Sequence, residues 1–184
     1  MIIAGIIIGI ILILVLMYNS LINKKNQVDN SFGGMDVQLK KRYDLIPNLI
    51  SAVKTYMKHE ADTLTEITEL RTKALSGGIS DDEKVDLDNK ITSHLSGIMV
   101  AVENYPELKA SDNFIQLQRS LNELEEQISA SRRSYNAAVT DYNNGVEMFP
   151  TNLIAGVMSF KRKNVFEIPD VQRENVNVEN LFNN

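Results

Sequence analysis

No cysteine occurs anywhere in the sequence, so disulfide bonds, thiolate metal sites and a lipid-modified N-terminal cysteine are all excluded. Tryptophan is also missing, and four prolines and nine glycines are few for 184 residues. That scarcity of chain-breaking residues fits helices better than a β-sandwich or barrel. Two histidines leave little material for an imidazole-based site. Positive charge is in deficit as well. The formal net charge is −5, and the basic residues form no long stripe, which argues against a nucleic-acid partner.

Hydrophobicity is present, but unevenly. Residues Met1 to Tyr18 read MIIAGIIIGIILILVLMY without one charged side chain. As a helix they would span roughly 27 Å, close to the ~30 Å hydrocarbon core of a bilayer. Leu21 and Ile22 extend the apolar surface, Tyr18 stands where an interfacial aromatic is expected, and Lys24 and Lys25 follow. A cleaved signal peptide fits poorly: only Met1 precedes the apolar run, and Tyr18-Asn19-Ser20-Leu21 is a poor cleavage site. A buried core helix would normally keep a polar face. Residues 1–22 are therefore expected to be a transmembrane anchor, with the lipid bilayer as partner. Lys24, Lys25, Lys40, Lys41 and Arg42 all follow the span. The positive-inside rule then predicts a single-pass protein of the cell membrane, N-terminus outside and the rest cytoplasmic.

After the anchor, Val28, Phe32, Met35, Leu39, Ile46, Leu49, Val53 and Tyr56 recur at steps near three and four, and Leu64, Ile67 and Leu75 continue with shifted phase. This predicts a long first helix, kinked near 43–47 because Pro47 cannot bond to the Tyr43 carbonyl. Ser76-Gly77-Gly78 ends it. A second helix is expected from Ser80 or Asp81, with Leu87, Ile91, Leu95, Ile98 and Val102 on one face and Tyr105-Pro106 as its close. A third starts at Ser111 or Asp112. Its stripe is Phe114, Leu117, Leu121, Leu124, Ile128, Ser131, Tyr135, Ala138, Tyr142 and Phe149, ended by Pro150. Spacings near 3.5 predict close antiparallel packing, as in a bundle or short coiled coil. Short connections predict that the first helix leads away from the membrane, the second returns and the third leads away again. Thr151 to Ala155 reads as a short returning helix, and Val176-Asn177-Val178 as a brief extended stretch in a polar tail.

The densest polar cluster is Arg42, Asp44, Asn48, His59 and Glu60, with Tyr43 inside it. Arg42 and Glu60 fall near the apolar stripe, where a charge needs a partner. The first expectation is an interhelical network that fixes register, Arg42 or Glu60 pairing with Asp141, Arg132 or Arg133; the alternative is a partner-binding or small-ligand site near the proline kink. His59-Glu60 fails as a zinc motif because position 63 is Thr63, and His94 reads as a surface or seam residue. Asp81-Asp82-Glu83 through Asp86 and Asp88 lacks the glycine and terminal glutamate of a calcium loop and reads as a solvated helix start. Gly33-Gly34 and Gly77-Gly78 lack the lysine of a phosphate loop. Tyr135-Asn136 and Tyr142-Asn143, seven residues apart, share one helical face. The tyrosines are expected in the core with asparagines flanking them, or else as a recognition surface. Neither a catalytic constellation nor a cofactor site is expected.

Several segments resemble one known family. Gln38-Leu39-Lys40-Lys41-Arg42-Tyr43-Asp44-Leu45-Ile46-Pro47-Asn48-Leu49-Ile50, continued by Val53 to Glu60, is similar to the signature of the LemA family. Glu103 to Ala110, Arg132 to Asn143 and Phe149 to Ala155 resemble its later motifs in the same order, so the likeness runs from the anchor to about Phe166. The resemblance implies an all-α protein: an N-terminal transmembrane helix carrying an antiparallel bundle of about four long helices. It implies no catalytic activity, and some relatives are tied to membrane-organelle formation. The expected division is an anchor (1–22), a bundle (23–166) and a polar tail (167–184). The short glycine-containing link from Ala74 to Asp82 and the asparagine-rich tail beyond Pro169 depart from the family pattern, which puts the tail's role in doubt. The expected function is a membrane-anchored scaffold or adaptor that binds a protein partner. The alternative is a self-assembling, membrane-organising or organelle-shaping protein.

Overall fold

A computed structural model describes residues 2–166; the expected polar tail, with its Val176-Asn177-Val178 alternation, lies outside the described residues. One helix, α1, runs from Ile2 to Val53. At 1.5 Å per residue it is about 78 Å long. Its apolar start is exposed on all sides, from Ile2 to Leu16. From Leu21 onward the buried positions Leu21, Val28, Phe32, Met35, Leu39, Tyr43, Ile46, Leu49 and Val53 form a single stripe. The anchor and the first helix of the bundle are thus one unbroken element.

The expected run to Leu75 is divided. α1 ends at Val53, a turn follows in which the Met57 amide donates to the Val53 carbonyl, and α2 spans Ala61–Ala74. Met57 is buried in that turn and marks the phase shift between the two apolar patterns. Pro47 does not end α1. It leaves the Tyr43 carbonyl without its helical donor, and Arg71 Nε of α2 donates to that oxygen at 2.7 Å. A backbone acceptor freed by proline thereby becomes the docking point of the next helix.

Gly78, at φ +90°, makes the turn out of α2 that an L side chain resists. α3 spans Asp81–Ala101, and its N-cap Ser80 accepts from the Glu83 amide at 3.2 Å, with Asp81, Asp82 and Glu83 in the first turn. A 3₁₀ turn (Val102–Asn104) and the short α4 (Pro106–Lys109) then reverse the chain at the distal end. α5 spans Asp112–Glu147 and α6 Thr151–Val157.

Dividing the first segment changes the direction of everything after it. Lys84 reaches Asp36 and Asp88 reaches Arg42, so α3 runs alongside α1 in the same sense. Glu125 meets Arg42 and Asp141 meets Lys24, so α5 runs back toward the anchor. The long third helix of the sequence reading therefore returns to the membrane instead of leading away, because one extra hairpin inverts the parity of the bundle. The core lies among α1, α2, α3 and α5, with the broadest packing between α1 and α5 and the next between α2 and α3. At the end nearest the anchor α5 comes very close: a Cβ on Gly145 would lie 3.0 Å from Lys24 Cδ and 3.2 Å from Leu21 Cδ2. Phe149 is not part of the α5 stripe. The helix stops at Glu147 and Phe149 is 78% exposed.

Candidate functional site

Two polar constructions stand out inside an otherwise apolar bundle. The first is centred on Arg42, whose side chain is only 1% exposed. Its Nη1 donates to Asp88 Oδ1 at 2.9 Å and to Thr92 Oγ1 at 2.8 Å, and its Nη2 to Glu125 Oε2. Arg132 approaches the other Asp88 oxygen at 3.6 Å. Residues of α1, α3 and α5 thus share one guanidinium. Two cations face two carboxylates, so the cluster is neutral in sum, as a buried ionic group must nearly be.

Burial pushes the Asp88 carboxyl above its ordinary range, while Arg42 and Arg132 pull it part of the way back. Burial, reinforced by the charge of Asp88, drives the Tyr43 phenol far up, so it stays neutral. The Tyr43 hydroxyl, Asp88 Oδ2 and Arg132 Nε make no hydrogen bond of normal geometry among the described residues. Burial also lowers Arg132, with Asp88 opposing the shift. Because Arg42 and Asp88 are closed off from water, they cannot receive a ligand from solution without opening the bundle. Through Asp88, Thr92 and Glu125 the Arg42 guanidinium links α1 to α3 and α5.

The second construction is a strap. Residues 161–166 leave α6 and lie without helical structure along α5. Asn143 Nδ2 donates to the Lys163 carbonyl and its Oδ1 accepts from the Lys163 amide, at 2.9 and 3.0 Å. Asn136 repeats the pattern with Phe166, at 2.9 and 2.7 Å, and the Tyr142 hydroxyl donates to the Lys161 carbonyl at 3.0 Å. The repeat is metrical. Seven residues of helix rise about 10.5 Å, and three residues of extended chain cover about 10 Å. Each asparagine can therefore hold both backbone groups of one residue. Phe166 closes the strap edge-on against Tyr135, 5.1 Å between ring centroids, with the Arg132 guanidinium 5.7 Å from its ring centre. Phe32 packs on Tyr135 as well, and burial pushes the Tyr135 phenol up to about 12.

The eleven residues singled out from the sequence therefore fall in separate places. Arg42, Tyr43 and Arg132 join the buried network; Tyr135, Asn136, Tyr142 and Asn143 form the strap seat. Asp44 is on the surface, paired with Lys40 at 2.7 Å, and Asn48 and His59 are exposed. Glu60 accepts from the Tyr105 hydroxyl at 3.0 Å at the distal end. The expected partners of Arg42 and Glu60 need correction. Asp141 pairs with Lys24 and Arg133 with Ser129, while Arg132 shares Asp88 with Arg42 instead of meeting it as a partner. Asp88 is not part of a solvated helix start but the most buried acid described. A signal for it existed: Asp88 and Thr92 are four residues apart and adjoin Leu87, Ile91 and Leu95, so helical spacing puts them at the seam. His94 is a seam residue, 3.5 Å from Glu66. Among the described residues no three His, Asp or Glu side chains are grouped to hold a metal ion.

The fold is that of a membrane-anchored, all-α bundle whose buried polar groups serve one another. The chain belongs to the LemA family, whose sequence profile matches residues 31–180. It is 26% identical over 165 residues to Protein LemA of Metamycoplasma hominis, a match covering 90% of this chain and 75% of that one. It is also 23% identical over 186 residues to Magnetosome protein MamQ 2 of Paramagnetospirillum magneticum, covering 88% and 68%. Magnetosome protein MamQ of Magnetospirillum gryphiswaldense is 21% identical over 178 residues, covering 83% and 65%.

Proposed function

We propose that this chain is a membrane-organising protein that self-assembles through its bundle and stem. The observation that carries this reading is the continuity of α1 from the apolar span into the core. An adaptor that searches for partners works well on a flexible tether, whereas here each rotation or tilt of the span is transmitted to the bundle. Such a post suits a protein whose copies must be oriented by the bilayer and by one another. Similarity to two proteins named for the magnetosome supports the same direction. In this reading the bundle faces the cytoplasm, the cell membrane is the site of action, and no cofactor takes part.

The test is reconstitution of the full chain into vesicles at rising protein density. Oligomers that grow with density, together with altered vesicle shape, are the expected result. A monomer at every density in vesicles of unchanged shape would refute the proposal. A reporter fused to the C-terminus reads sidedness independently, with a cytoplasmic signal expected.

A second reading, a scaffold that binds another protein, is favoured by the groove between α1 and α5 lined by Leu45, Asn48, Ser51, Asn113, Gln116 and Leu117. Partner capture from membranes should then be lost on Asp44→Ala or Asn48→Ala. Both side chains are exposed, so these variants leave the fold intact, which Arg42 variants would not. Retention of every partner by both variants removes this reading.

A further inference from the structure

The chain between α5 and the strap carries a second apolar surface. Phe149 is 78% and Val157 83% exposed, and Met148, Leu153 and Met158 are exposed with them. On a protein in water so contiguous an apolar patch calls for a partner. Its position identifies one. α6 packs on α1, and Leu153, Ile154, Val157 and Met158 share an apolar cleft with Ile11, Leu14, Val15 and Tyr18. Counted back from Ile22, Tyr18 to Ile11 lie about 6 to 16 Å inside the apolar span. Hydrocarbon that surrounds α1 at that level also surrounds α6.

We propose that residues 148–160 form a re-entrant hairpin that inserts into the same leaflet as the upper part of α1, giving the bundle a second hold on the lipid. Chemistry and backbone geometry both support it. From Met148 to Phe160 there is no charged residue, while Glu147 precedes the segment and Lys161-Arg162-Lys163 follows it. Lys24, Arg162 and Lys163 pair with Asp141, Glu147 and Asp29, and the exposed Lys25 and Lys161 stand at the level where lipid phosphates lie. A lipid-exposed backbone must also satisfy itself. Here the Phe160 amide donates to the Ala155 carbonyl at 2.9 Å and the Ser159 amide to Gly156 at 3.3 Å, with Ser159 at φ 58°. That pair of bonds is a Schellman closure, which uses the last carbonyls of the helix internally. At the other end the Asn152 amide and the Thr151 hydroxyl both donate to the Met148 carbonyl, and Pro150 has no amide proton to place. The hairpin holds the base of α5 at a fixed depth beside α1. The inference rests on the membrane-anchoring helix, not on self-assembly.

The absence of cysteine makes the test direct. Single substitutions Leu153→Cys and Val157→Cys in the full chain, with Leu14→Cys and Val100→Cys as references, are labelled with an environment-sensitive nitrobenzoxadiazole dye. The proteins are reconstituted into phosphatidylcholine–phosphatidylglycerol vesicles containing spin-labelled phosphatidylcholine. The expected result is loss of emission at positions 153 and 157 comparable with that at 14, with none at 100. Quenching at 14 but not at 153 and 157 overturns the proposal and leaves the anchor standing. No quenching at any of the three overturns both. Blue-shifted but unquenched emission at 153 and 157 means that protein covers the patch, and equally overturns it.

Discussion

α1 contains two stretches of the same helix that solve burial in opposite ways. From Ile2 to Leu16 apolar side chains point in every direction and none is buried, even where α6 lies against Leu14 and Val15. From Leu21 to Val53 a single stripe is buried and the remaining positions are mostly polar. The first pattern is stable only where the solvent is lipid; the second needs neighbouring helices to cover one side. The teaching is that exposure has no meaning until the solvent is named. The same contrast holds for charge within one turn of the helix. Lys40 and Asp44 pair in open water, whereas two residues after Lys40 a guanidinium is walled in by three helices.

The sharpest way to break that contrast is to cut both pairs. Arg42→Ala should destabilise the bundle by about 3–5 kcal/mol, because it removes the hydrogen-bonded partner of the buried Asp88 and leaves it only the longer contact with Arg132. Lys40→Ala should cost about 0.3–0.5 kcal/mol. Denaturant midpoints in detergent decide it, and equal effects would mean that the buried network contributes nothing beyond a surface pair. Next in size is a charge placed in each stretch of α1. Ile10→Arg should disfavour insertion by about 2.5–3.5 kcal/mol, read as the fraction recovered with membranes. Val37→Arg, at an exposed position of the stalk, should change stability by no more than about 0.5 kcal/mol.

A smaller effect separates the two roles of Pro47. Arg71→Met leaves the Tyr43 carbonyl without a donor and should cost about 1–3 kcal/mol. In a Pro47→Ala background residue 47 regains an amide, so the same substitution should cost measurably less. Additive losses in that double-mutant cycle would show that Arg71 acts elsewhere. The smallest effect is a slope with pH. The Asp88 carboxyl is raised above 3.8 in the folded chain, so the native state holds this proton more tightly than the unfolded chain does. Its stabilising contribution is fully present below 3.8 and is lost as pH rises through the raised native value. Asp88→Asn should abolish that part of the slope in pH-dependent unfolding.

Much of the fold was legible because local chemistry and tertiary packing agree. The apolar span, the Ser80 cap, the Gly77-Gly78 turn and the Leu121–Ile128–Tyr135–Tyr142 stripe are periodic or positional signals. The break at 54–60 was not, because Met57 is buried there and Tyr56 keeps the apolar rhythm going after the hydrogen-bonded helix has ended. Phe149 misled for a related reason. It continues the α5 spacing, yet Met148 already has an extended backbone, and the helix turns out before reaching it. In the candidate site, Arg42 drew notice as a charge beside an apolar stripe, while its true partners Asp88 and Glu125 sat among acids that composition alone cannot sort into buried and solvated. Asn136 and Asn143 were visible as a seven-residue repeat. That they grip their own chain was not, since no local pattern announces which extended segment will lie beside a helix.

By itself the sequence determined where lipid must be, most of the helical stretches and which faces are apolar, because those follow from hydrophobic content and from the 3.6-residue turn. Only the tertiary structure decided how the helices run, which acids meet Arg42, and that α6 comes to rest beside the span. Those outcomes depend on one hairpin at residues 54–60 and on contacts between residues far apart in the chain, whose free energies exist only once the helices are packed.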